Sequence, residues 1–412
     1  MKIYMCLSLI VLLLFKSNYA EAQKVNGEIV RQKDNVTVIK VWGTHEERGF
    51  AYGYLGGTRI MHLFKKYITP ALGSNLDKAR ATVNNKQLIK IDKKYIEEAK
   101  AIIQGMKAAK VELDGFNYID LLVSNSFLDM RGLVKNGNLS NGCSSLMSWG
   151  DATKGTVLNG KSVITRHVDW SVVPALLENN LILVHIPSEK DEQPWLMIGY
   201  FGQMNVLSGC NRGGLTVFQH MMYDKIVKEK LVRYEPIWFS LRKALEQNDY
   251  DHNGSNDVND LKAVLVANKD GYADAFIISA MAASHVNNDN LIALIAEIAP
   301  DKPYFTFRNN SYPDNIIGDN LYAANYPIKR NNQNRYGSRY RSVQNALNKG
   351  INIDAAKSWN LLTTYSRIKV NNLQTIQVIP EEGVLKLSVW QNNREAFKNK
   401  PQVFYINELF KK

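Results

Sequence analysis

Hydrophobic positions follow a helical rhythm in the first third of the chain. One helix is predicted from apolar residues three or four positions apart: Leu88, Ile91, Tyr95, Ala99, Ile102, Ile103 and Met106. Lysines and glutamates fill the positions between them, and we expect these to face solvent. Residues 118–133 predict a second helix, mostly buried. The glycine-rich stretch 45–66 predicts a helix packed closely against a neighbour, and residues 28–41 predict a strand.

The pattern changes after the polar stretch 135–142, which is rich in asparagine and glycine and predicts a loop. Short apolar runs bounded by turn residues then predict strands at 144–148, 162–168, 181–186 and 195–201. The sequence further predicts a turn at 208–214 between two strands, helices at 235–246 and 262–266, a strand or helix at 291–296, and a hairpin over 375–390. Together these elements predict a layered α+β or α/β architecture.

The first 22 residues have the composition of an export signal. A basic start is followed by about ten apolar residues, Cys6–Phe15, and the small-x-small sequence Ala20-Glu21-Ala22. An uncleaved N-terminal anchor is the alternative. No later segment has 18 uninterrupted apolar residues, so we expect a secreted, periplasmic or lumenal protein that is not an integral membrane protein. Removal of residues 1–22 leaves one large domain or two smaller ones.

Composition narrows the chemistry. The formal net charge is +12, but no dense block of lysine and arginine alternates with aromatic residues, so we interpret the charge as a solvated surface and expect no nucleic-acid partner. The sequence lacks a zinc-protease helix, a C-x-x-C pair, a P-loop, a G-x-S-x-G elbow and a dinucleotide loop. We therefore expect no cofactor and no catalytic metal, which leaves the chemistry to amino-acid side chains.

Two cysteines, Cys143 and Cys210, remain after the signal, and in an exported protein they could form a disulfide. The Gly142-Cys143 sequence, at a junction between loop and strand, favours another reading. Glycine leaves its carbonyl open to the neighbouring thiol, as an autoproteolytic N–S acyl shift requires. After cleavage, the α-amine of Cys143, with an ordinary pKa of about 8, could serve as the base for its own thiol.

Arg166 and Asp169 are the candidate partners of this nucleophile. Arg166 could stabilise the thiolate, and Asp169 could accept hydrogen bonds from the new amine. Positions three apart on a straight strand point to opposite faces, so both reach Cys143 only if the strand ends or bulges between them. An ordinary salt bridge between the two is the alternative.

With these residues in view, the sequence resembles the cysteine N-terminal nucleophile hydrolases. The relatives are the penicillin acyltransferase-like family (acyl-CoA:6-aminopenicillanic acid acyltransferase), the choloylglycine hydrolases and the acid ceramidases. Cys143 and the R-x-x-D motif in 166–169 resemble the nucleophile and the motif after it. Residues 208–215 resemble the G-x-N-x-x-G-L turn, which implies that Asn211 helps to hold an oxyanion. Turn chemistry alone is the alternative for Asn211.

Two later motifs and the leader extend the resemblance. Residues 322–327 resemble a second asparagine motif, which places Asn325 near the site, and residues 338–341 resemble an S-R-Y/F motif, which adds Arg339. A turn role for Asn325 and a solvated basic face for Arg339 remain open. In the leader, the glycines and charged residues at 43–53 and the buried Asn125 resemble the propeptide of the acyltransferase-like group.

The resemblance implies a four-layer αββα sandwich of the α+β class, with 23–142 as a helical leader that stays bound after cleavage and 143–412 as the catalytic chain. It implies hydrolysis of, or acyl transfer from, a small linear amide with an acyl or aminoacyl group. The alternative is a catalytically silent secreted binding protein of the same fold, with a Cys143–Cys210 disulfide. Trp149, Trp170, Phe218 and Tyr223 are candidates for an apolar pocket.

Overall fold

The protein is described from a computed structural model that covers residues 24–134, 142–222, 233–283, 291–311, 316–330, 337–350, 352–366 and 371–411. The proposed export signal, most of the loop before Cys143 and Tyr223 lie outside these residues. None of the helices in the described part of the chain is both long enough and apolar enough to cross a membrane.

Strands and helices alternate along the chain. The strands are β1 (Gly27–Lys33), β2 (Val36–Gly43), β3 (Gly142–Ser148), β4 (Val163–Asp169), β5 (Asn180–Pro187), β6 (Trp195–Tyr200), β7 (Ser208–Asn211), β8 (Thr216–Met221), β9 (Phe276–Met281), β10 (Ala293–Ile298), β11 (Phe305–Arg308), β12 (Asn320–Ala323), β13 (Asn372–Ile379), β14 (Val384–Val389) and β15 (Gln402–Tyr405). The α-helices are α1 (His45–Leu63), α2 (Thr69–Leu72), α3 (Leu76–Asn84), α4 (Lys93–Ala108), α5 (Tyr118–Asn125), α6 (Gly150–Lys154), α7 (Pro174–Leu177), α8 (Ile237–Glu246), α9 (Val258–Val266), α10 (Ser338–Leu347), α11 (Ala355–Tyr365) and α12 (Ile406–Leu409).

The strands form two sheets. One has the order β1-β2-β5-β6-β7-β8-β9-β10-β11 and is antiparallel except for the β2–β5 pair, which is parallel. The other, antiparallel throughout, has the order β12-β3-β4-β13-β14-β15. The leader therefore adds two strands to the larger sheet, and a description of the leader as helical is incomplete.

The hydrophobic core shows four layers. Val38 and Ile182 of the larger sheet pack against Ile164 and Ile376 of the smaller one, so the two sheets face each other. The other face of the larger sheet packs against α1, α4, α5, α8 and α9. The other face of the smaller sheet, which includes Leu146, packs against α10 and α11. The fold is thus an αββα sandwich of the α+β class, as the resemblance implies.

Glycines let α1 and α4 cross closely. Thr44 caps α1 in a capping box with Glu47, which fixes where the helix begins. A Cβ atom on Gly53 would lie 1.9 Å from the Ile102 carbonyl oxygen, and one on Gly105 would lie 2.0 Å from that of Phe50. Larger residues would force the helices apart, so the predicted close packing of 45–66 is confirmed.

Three expectations about local structure need correction. The predicted 118–133 helix divides at Ser126 into α5 and a 3-10 segment, Phe127–Leu133. Residues 208–211 form strand β7 rather than part of a turn. Glu98, expected on the solvent face of α4, is 1% exposed because it lies against charged groups of α8 and α1.

Candidate active site

Cys143 is the second residue of β3 and lies at the edge of the described part of the chain, just after the predicted loop. It is 4% exposed and lies opposite Val168 of β4. Paired residues in a sheet point to the same face, and Val168 packs between the two sheets. The thiol of Cys143 therefore faces the space between the sheets.

Arg166 lies on the same face of β4 and approaches the thiol. Its Nη2 is 3.9 Å from the Cys143 Sγ. Its other contacts are neutral: Nη1 donates to the Leu207 carbonyl at 2.8 Å and to the Ser208 hydroxyl at 2.6 Å, and Nη2 donates to the Gln219 carbonyl. Arg166 is fully buried. Its positive charge is therefore held by dipoles, and the sulfur is the group beside it that can become an anion.

The backbone of Cys143 is held from the helical side of the smaller sheet. Its N–H donates to Asn325 Oδ1 at 2.8 Å, and its carbonyl oxygen accepts from Arg339 Nη2 at 3.1 Å. Arg339 Nη1 also donates to Asn325 Oδ1, at 3.1 Å, and Nε donates to the Ser366 carbonyl at 2.8 Å. Arg339 and Asn325 thus meet at Cys143, and both are buried rather than solvated.

Asp169 approaches Cys143 from the face opposite Arg166. It is the last residue of β4 and pairs with Gly142. Its Oδ1 accepts from Asn372 at 2.9 Å, while Oδ2 lies 3.9 Å from Arg339 Nη2 and has no hydrogen-bond partner among the described residues. Strand β4 neither ends nor bulges between the two positions, so the condition set from the sequence is not met and the two side chains lie on opposite faces. Arg166 lies beside the thiol, and Asp169 lies beside the backbone that would become the amine.

Burial sets the protonation of this site. It raises the pKa of the Cys143 thiol, and the nearby Arg166 opposes this only in part. It also raises the pKa of Asp169 to about 7, against the opposing effects of Arg339 and Asn372. It lowers the pKa of Arg166. In the uncut chain the thiol is therefore protonated at neutral pH, while Asp169 changes charge close to neutrality.

Cys143 lines a cavity of about 70 Å³ that is open in part to solvent. Its walls are mainly apolar and aromatic, and Arg166 is the only charged side chain among the described residues that line it. The leader forms one wall with Leu63, Tyr67, Ile68, Ser124, Phe127 and Leu128. Of the four aromatic residues predicted for a pocket, Trp170 lines this one, and its indole N–H donates to the Tyr67 hydroxyl at 2.7 Å.

Asn211 is not part of this cluster. Both hydrogens of its amide are used, by the Leu245 carbonyl at 2.9 Å and by Asn256 Oδ1 at 2.6 Å. Its Oδ1 accepts from the Leu215 backbone N–H at 3.0 Å, which closes the β7–β8 turn. The geometry thus supports the turn role, and the oxyanion role inferred for Asn211 is corrected because the amide has no donor to spare.

The two cysteines are both free thiols, so the Cys143–Cys210 disulfide of the alternative reading is not formed. Cys210 lies in the core between the sheets and is 1% exposed. Burial raises the pKa of Cys210 to about 12, with no nearby charge to oppose it. Cys210 is therefore a packing residue, in contrast to Cys143.

Charged residues before Cys143 pair with charged residues after it in a buried network. His45 lies between Glu98 (2.6 Å) and Glu192 (2.8 Å), and Arg242 donates to Glu98 through both terminal nitrogens at 2.9 and 2.6 Å. Asn125, expected in the leader motif, is also buried. It donates to the Gly202 carbonyl, and its Oδ1 accepts from the Met204 N–H, both at 2.8 Å.

Several residues of the site were missed at the level of sequence. Asn372 holds Asp169, and Ser208 holds Arg166. Tyr200 lines the cavity, and its buried hydroxyl has no partner in the described part of the chain. Only Ser208 could have been found from the sequence, because it lies within residues 208–215, which resemble a known motif. Asn372 and Tyr200 lie in strands whose sequence indicates only buried core.

Two groups of described side chains have the donor types and spacing to hold a metal ion. In the first, His45, Glu192 and Glu246 converge, but Lys94 Nζ already lies 2.8 Å from Glu192 and 2.6 Å from Glu246. The ammonium of Lys94 therefore already occupies the position that a metal cation would take. The second consists of Asp249 and Asp251, in the loop before α9, and Asp260, in the first turn of that helix.

No protein-family model matches the chain, and no curated protein sequence matches it. Solved structures with a similar fold include a Caenorhabditis elegans N-acylethanolamine-hydrolyzing acid amidase (NAAA) ortholog, at 12% identity and a TM-score of 0.41 over 64% of this chain and 100% of that one. A mutant of the conjugated bile acid hydrolase from Clostridium perfringens is 13% identical, with a TM-score of 0.38 over 65% and 94% of the two chains. Penicillin V acylase from Agrobacterium tumefaciens is 10% identical, with a TM-score of 0.35 over 63% and 84%.

Proposed function

We propose that this chain is an exported amide hydrolase that cleaves itself between Gly142 and Cys143 and then uses Cys143 as an N-terminal nucleophile. One observation carries the proposal. The thiol of Cys143 faces a cation and an apolar cavity, while its backbone N–H and carbonyl are held separately by Asn325 and Arg339. A cysteine that served only in packing would need neither arrangement.

Self-cleavage in this scheme starts from the uncut thiol. The sulfur attacks the Gly142 carbonyl carbon, the peptide C–N bond breaks, and the Cys143 nitrogen takes a proton to become an amine. Water then hydrolyses the thioester, which leaves a carboxylate on Gly142 and a free thiol on Cys143. Asp169 supports the step because a carboxyl with a pKa of about 7 can exchange protons at neutral pH.

The amine and the thiol of Cys143 then act together on the substrate. The amine, held by Asn325 Oδ1 and next to the unpaired Oδ2 of Asp169, accepts the thiol proton as the sulfur attacks the amide carbonyl. Asn325 Nδ2 donates to the Met221 carbonyl at 2.7 Å, so its second hydrogen is available for the developing oxyanion. The leaving amine takes the proton, and water releases the acyl group from the thioester.

The cavity favours a linear amide whose acyl part is apolar. Among the described residues its apolar walls offer no charged group to match a charged acyl chain apart from Arg166, which lies beside the sulfur. A second amine that reached the thioester before water would make the same site an acyltransferase. The substrate is a small molecule, and the chemistry needs no cofactor.

The leader remains bound after cleavage in this proposal. Its strand β2 lies between β1 and β5, so main-chain hydrogen bonds cross the future break between the two polypeptides. It also supplies one wall of the cavity. Loss of the leader would therefore open the substrate site. Export rests on the sequence of residues 1–22, and N-terminal sequencing of secreted material should begin at Gln23.

Denaturing mass measurement tests the cleavage directly. The mature protein should give two polypeptides of about 14 and 31 kDa, in proportion to the 46.7 kDa of the 412 residues. Cys143→Ala should remain one chain, while the matched control Cys210→Ala should cleave like the wild type. A wild-type protein that stays whole while folded would overturn the proposal.

A substrate panel tests the amide chemistry once cleavage is seen. N-acylethanolamines, ceramides, conjugated bile salts, penicillins and aminoacyl amides would be compared by release of the free amine. We expect apolar acyl chains to react fastest and a mass increase on the larger polypeptide equal to the acyl group. Cleaved protein that forms no acyl adduct with any amide would leave self-cleavage standing but contradict the hydrolase.

A further inference from the structure

The loop between α8 and α9 has a spacing of oxygen-bearing side chains that is unrelated to the site around Cys143. Counting from Asp249 as position one, Asp251 is third, Asn253 fifth, Gly254 sixth and Asp260 twelfth. This is the register of a twelve-residue calcium-binding loop, apart from aspartate in place of glutamate at position twelve. Such loops join two helices, as this one joins α8 to α9.

The fold brings the ends of this register together. One carboxylate oxygen each from Asp249, Asp251 and Asp260 lies within 4.8 Å of the others, although eleven positions separate the first residue from the last. Gly254 has φ of +96°, a conformation that a larger residue would adopt only with strain, at the position where calcium loops turn sharply. Asp257, at position nine, caps the N-terminus of α9.

The buried negative charge in this loop has no ionic partner in the described residues. Asp260 is fully buried with its carboxylate directed into the loop, and Asp257 is 2% exposed. Lysine, arginine and histidine side chains of the described chain form no ion pair with these two or with Asp249 and Asp251. Buried carboxylates are ordinarily paired with a cation. Backbone N–H groups satisfy the hydrogen bonding of Asp260 but leave its charge unbalanced.

We propose that this loop binds one calcium ion. The ligands are carboxylate oxygens of Asp249, Asp251 and Asp260, the amide oxygen of Asn253, and the backbone carbonyl of Ser255 at position seven. All are hard oxygen donors, which favour calcium or magnesium over the transition metals. Calcium fits better, because a loop with a carbonyl ligand and several carboxylates gives the high, flexible coordination that calcium tolerates and magnesium does not.

Bound calcium would stabilise a wall of the active-site cavity without entering the chemistry. Helix α8 carries Trp238, which lines the cavity, and Arg242, which binds the leader through Glu98. The loop also contains Asn256, whose Oδ1 accepts a hydrogen bond from Asn211 in the β7–β8 turn. The ion therefore holds together elements that position the leader and the substrate wall, and its loss should be felt first as lost stability.

Calorimetric titration of the chelator-stripped mature protein with calcium chloride tests the assignment. We expect one calcium per chain and a rise in melting temperature of several degrees at saturating calcium. Magnesium chloride should bind at least tenfold more weakly. Tyr250, inside the loop, offers a second readout, since excitation of a tyrosine should sensitise the emission of terbium bound beside it.

The test variant is the double substitution Asp249→Asn with Asp251→Asn, matched by Asp34→Asn with Glu112→Gln, which removes two exposed carboxylates elsewhere. Calcium binding should weaken at least tenfold in the first and stay unchanged in the second. If the first does not fold, Asp251→Asn alone and the wild-type stoichiometry decide. Absence of calcium binding to the wild type, unchanged binding in the variant, or tighter binding of magnesium would each overturn the proposal.

Discussion

Two fully buried arginines in this molecule have opposite surroundings. Arg242 is in contact with carboxylates on several sides: Glu98 takes both of its terminal nitrogens, and Glu246 takes Nε at 2.9 Å. Arg166 donates only to carbonyls and a hydroxyl and lies 3.9 Å from a thiol. Burial alone would lower the pKa of both. At Arg242 the carboxylates reverse this and raise its pKa well above the ordinary value, whereas that of Arg166 stays lowered.

The difference separates a structural cation from a functional one. A charge already matched by carboxylates joins pieces of the fold and has little left to offer an anion that forms during a reaction. A charge solvated only by dipoles retains its attraction for such an anion, at some cost in stability. On this basis we propose that Arg242 binds the leader to α8, and that Arg166 stabilises a thiolate of Cys143.

The largest effect is expected at Arg166. In Arg166→Gln, acyl-enzyme formation should fall by about 10²–10³-fold, because the thiolate loses the cation that lies 3.9 Å from the sulfur. The free energy of unfolding should be unchanged or slightly higher, since an unmatched buried charge is removed. The rate of alkylation of Cys143 against pH measures how readily its thiolate forms. The inflection of this curve should move to higher pH in Arg166→Gln.

Arg166→Lys serves as the control, because it keeps the charge but loses the fork of donors. It should fall between the wild type and the glutamine variant. A glutamine variant that is alkylated like the wild type but unfolds more easily would show that Arg166 is structural. Arg166 would then have the role that we assign to Arg242.

The next largest effect is expected at Arg242. Arg242→Met should lower the free energy of unfolding by about 3–5 kcal/mol, because Glu98 and Glu246 become buried carboxylates without their main counterion. Chemical denaturation measures this, and the alkylation rate of folded protein should remain near that of the wild type. Adding Glu98→Gln to Arg242→Met should restore part of the loss. If the single variant is as stable as the wild type, the network does not hold the leader.

The different surroundings of Arg166 and Arg242 could not be predicted from the sequence, although many of the strands and site residues could. The strands and the 375–390 hairpin were readable because each is a short apolar run bounded by turn residues, as in β4 and β13. Cys143, Arg166, Asp169, Asn325 and Arg339 were named from motifs, and the fold brings all of them to one place. The polar strand β7 was missed because Ser208–Asn211 has the composition of a turn.

Charge patterns were misread for a physical reason. Glu98 and Lys94 follow the rule for the solvent face of α4, and the partners supplied by α8 (Arg242) and α1 (His45) make it possible to bury Glu98. Asn211 was placed at the oxyanion because a motif gives identity but not direction. Its amide points at Leu245 and Asn256 instead. Ion pairs and hydrogen bonds between residues far apart in the sequence leave no pattern in the spacing of neighbouring residues.

A smaller effect, dependent on pH, is expected at Asp169. The folded-state pKa of about 7 exceeds the ordinary value of 3.8, so between pH 4 and 7 the folded protein binds more protons than the unfolded one. This group therefore lowers stability as pH rises through that window, and its effect is constant above it. In an uncut Cys143→Ala background, Asp169→Asn should have a higher free energy of unfolding at pH 8, by up to about 4 kcal/mol for a pKa raised from 3.8 to about 7, and no gain near pH 4.

Thermal unfolding from pH 4 to 8 measures this gain, and the same substitution in the Cys143 protein should block self-cleavage. Asn372→Ala is the companion variant, because it removes the hydrogen bond to Oδ1 and should steepen the loss of stability with pH. A gain that is equal at all pH values would mean that Asp169 is already ionised in the folded protein throughout this range, so that its pKa is not raised.

The smallest effect is expected at Cys210, and it tests whether the setting of Cys143 matters more than the presence of a thiol. Both cysteines are buried and free, but Cys210 has only apolar burial around it, which raises its pKa to about 12, and no arginine approaches it among the described residues. Cys210→Ala should cost about 1 kcal/mol for the lost packing and leave cleavage unchanged. Iodoacetamide should modify one thiol per native chain in both the wild type and this variant, with the label on Cys143. A label on native Cys210 would mean that the two thiols differ less than their surroundings predict, and that Arg166 is not what makes Cys143 reactive.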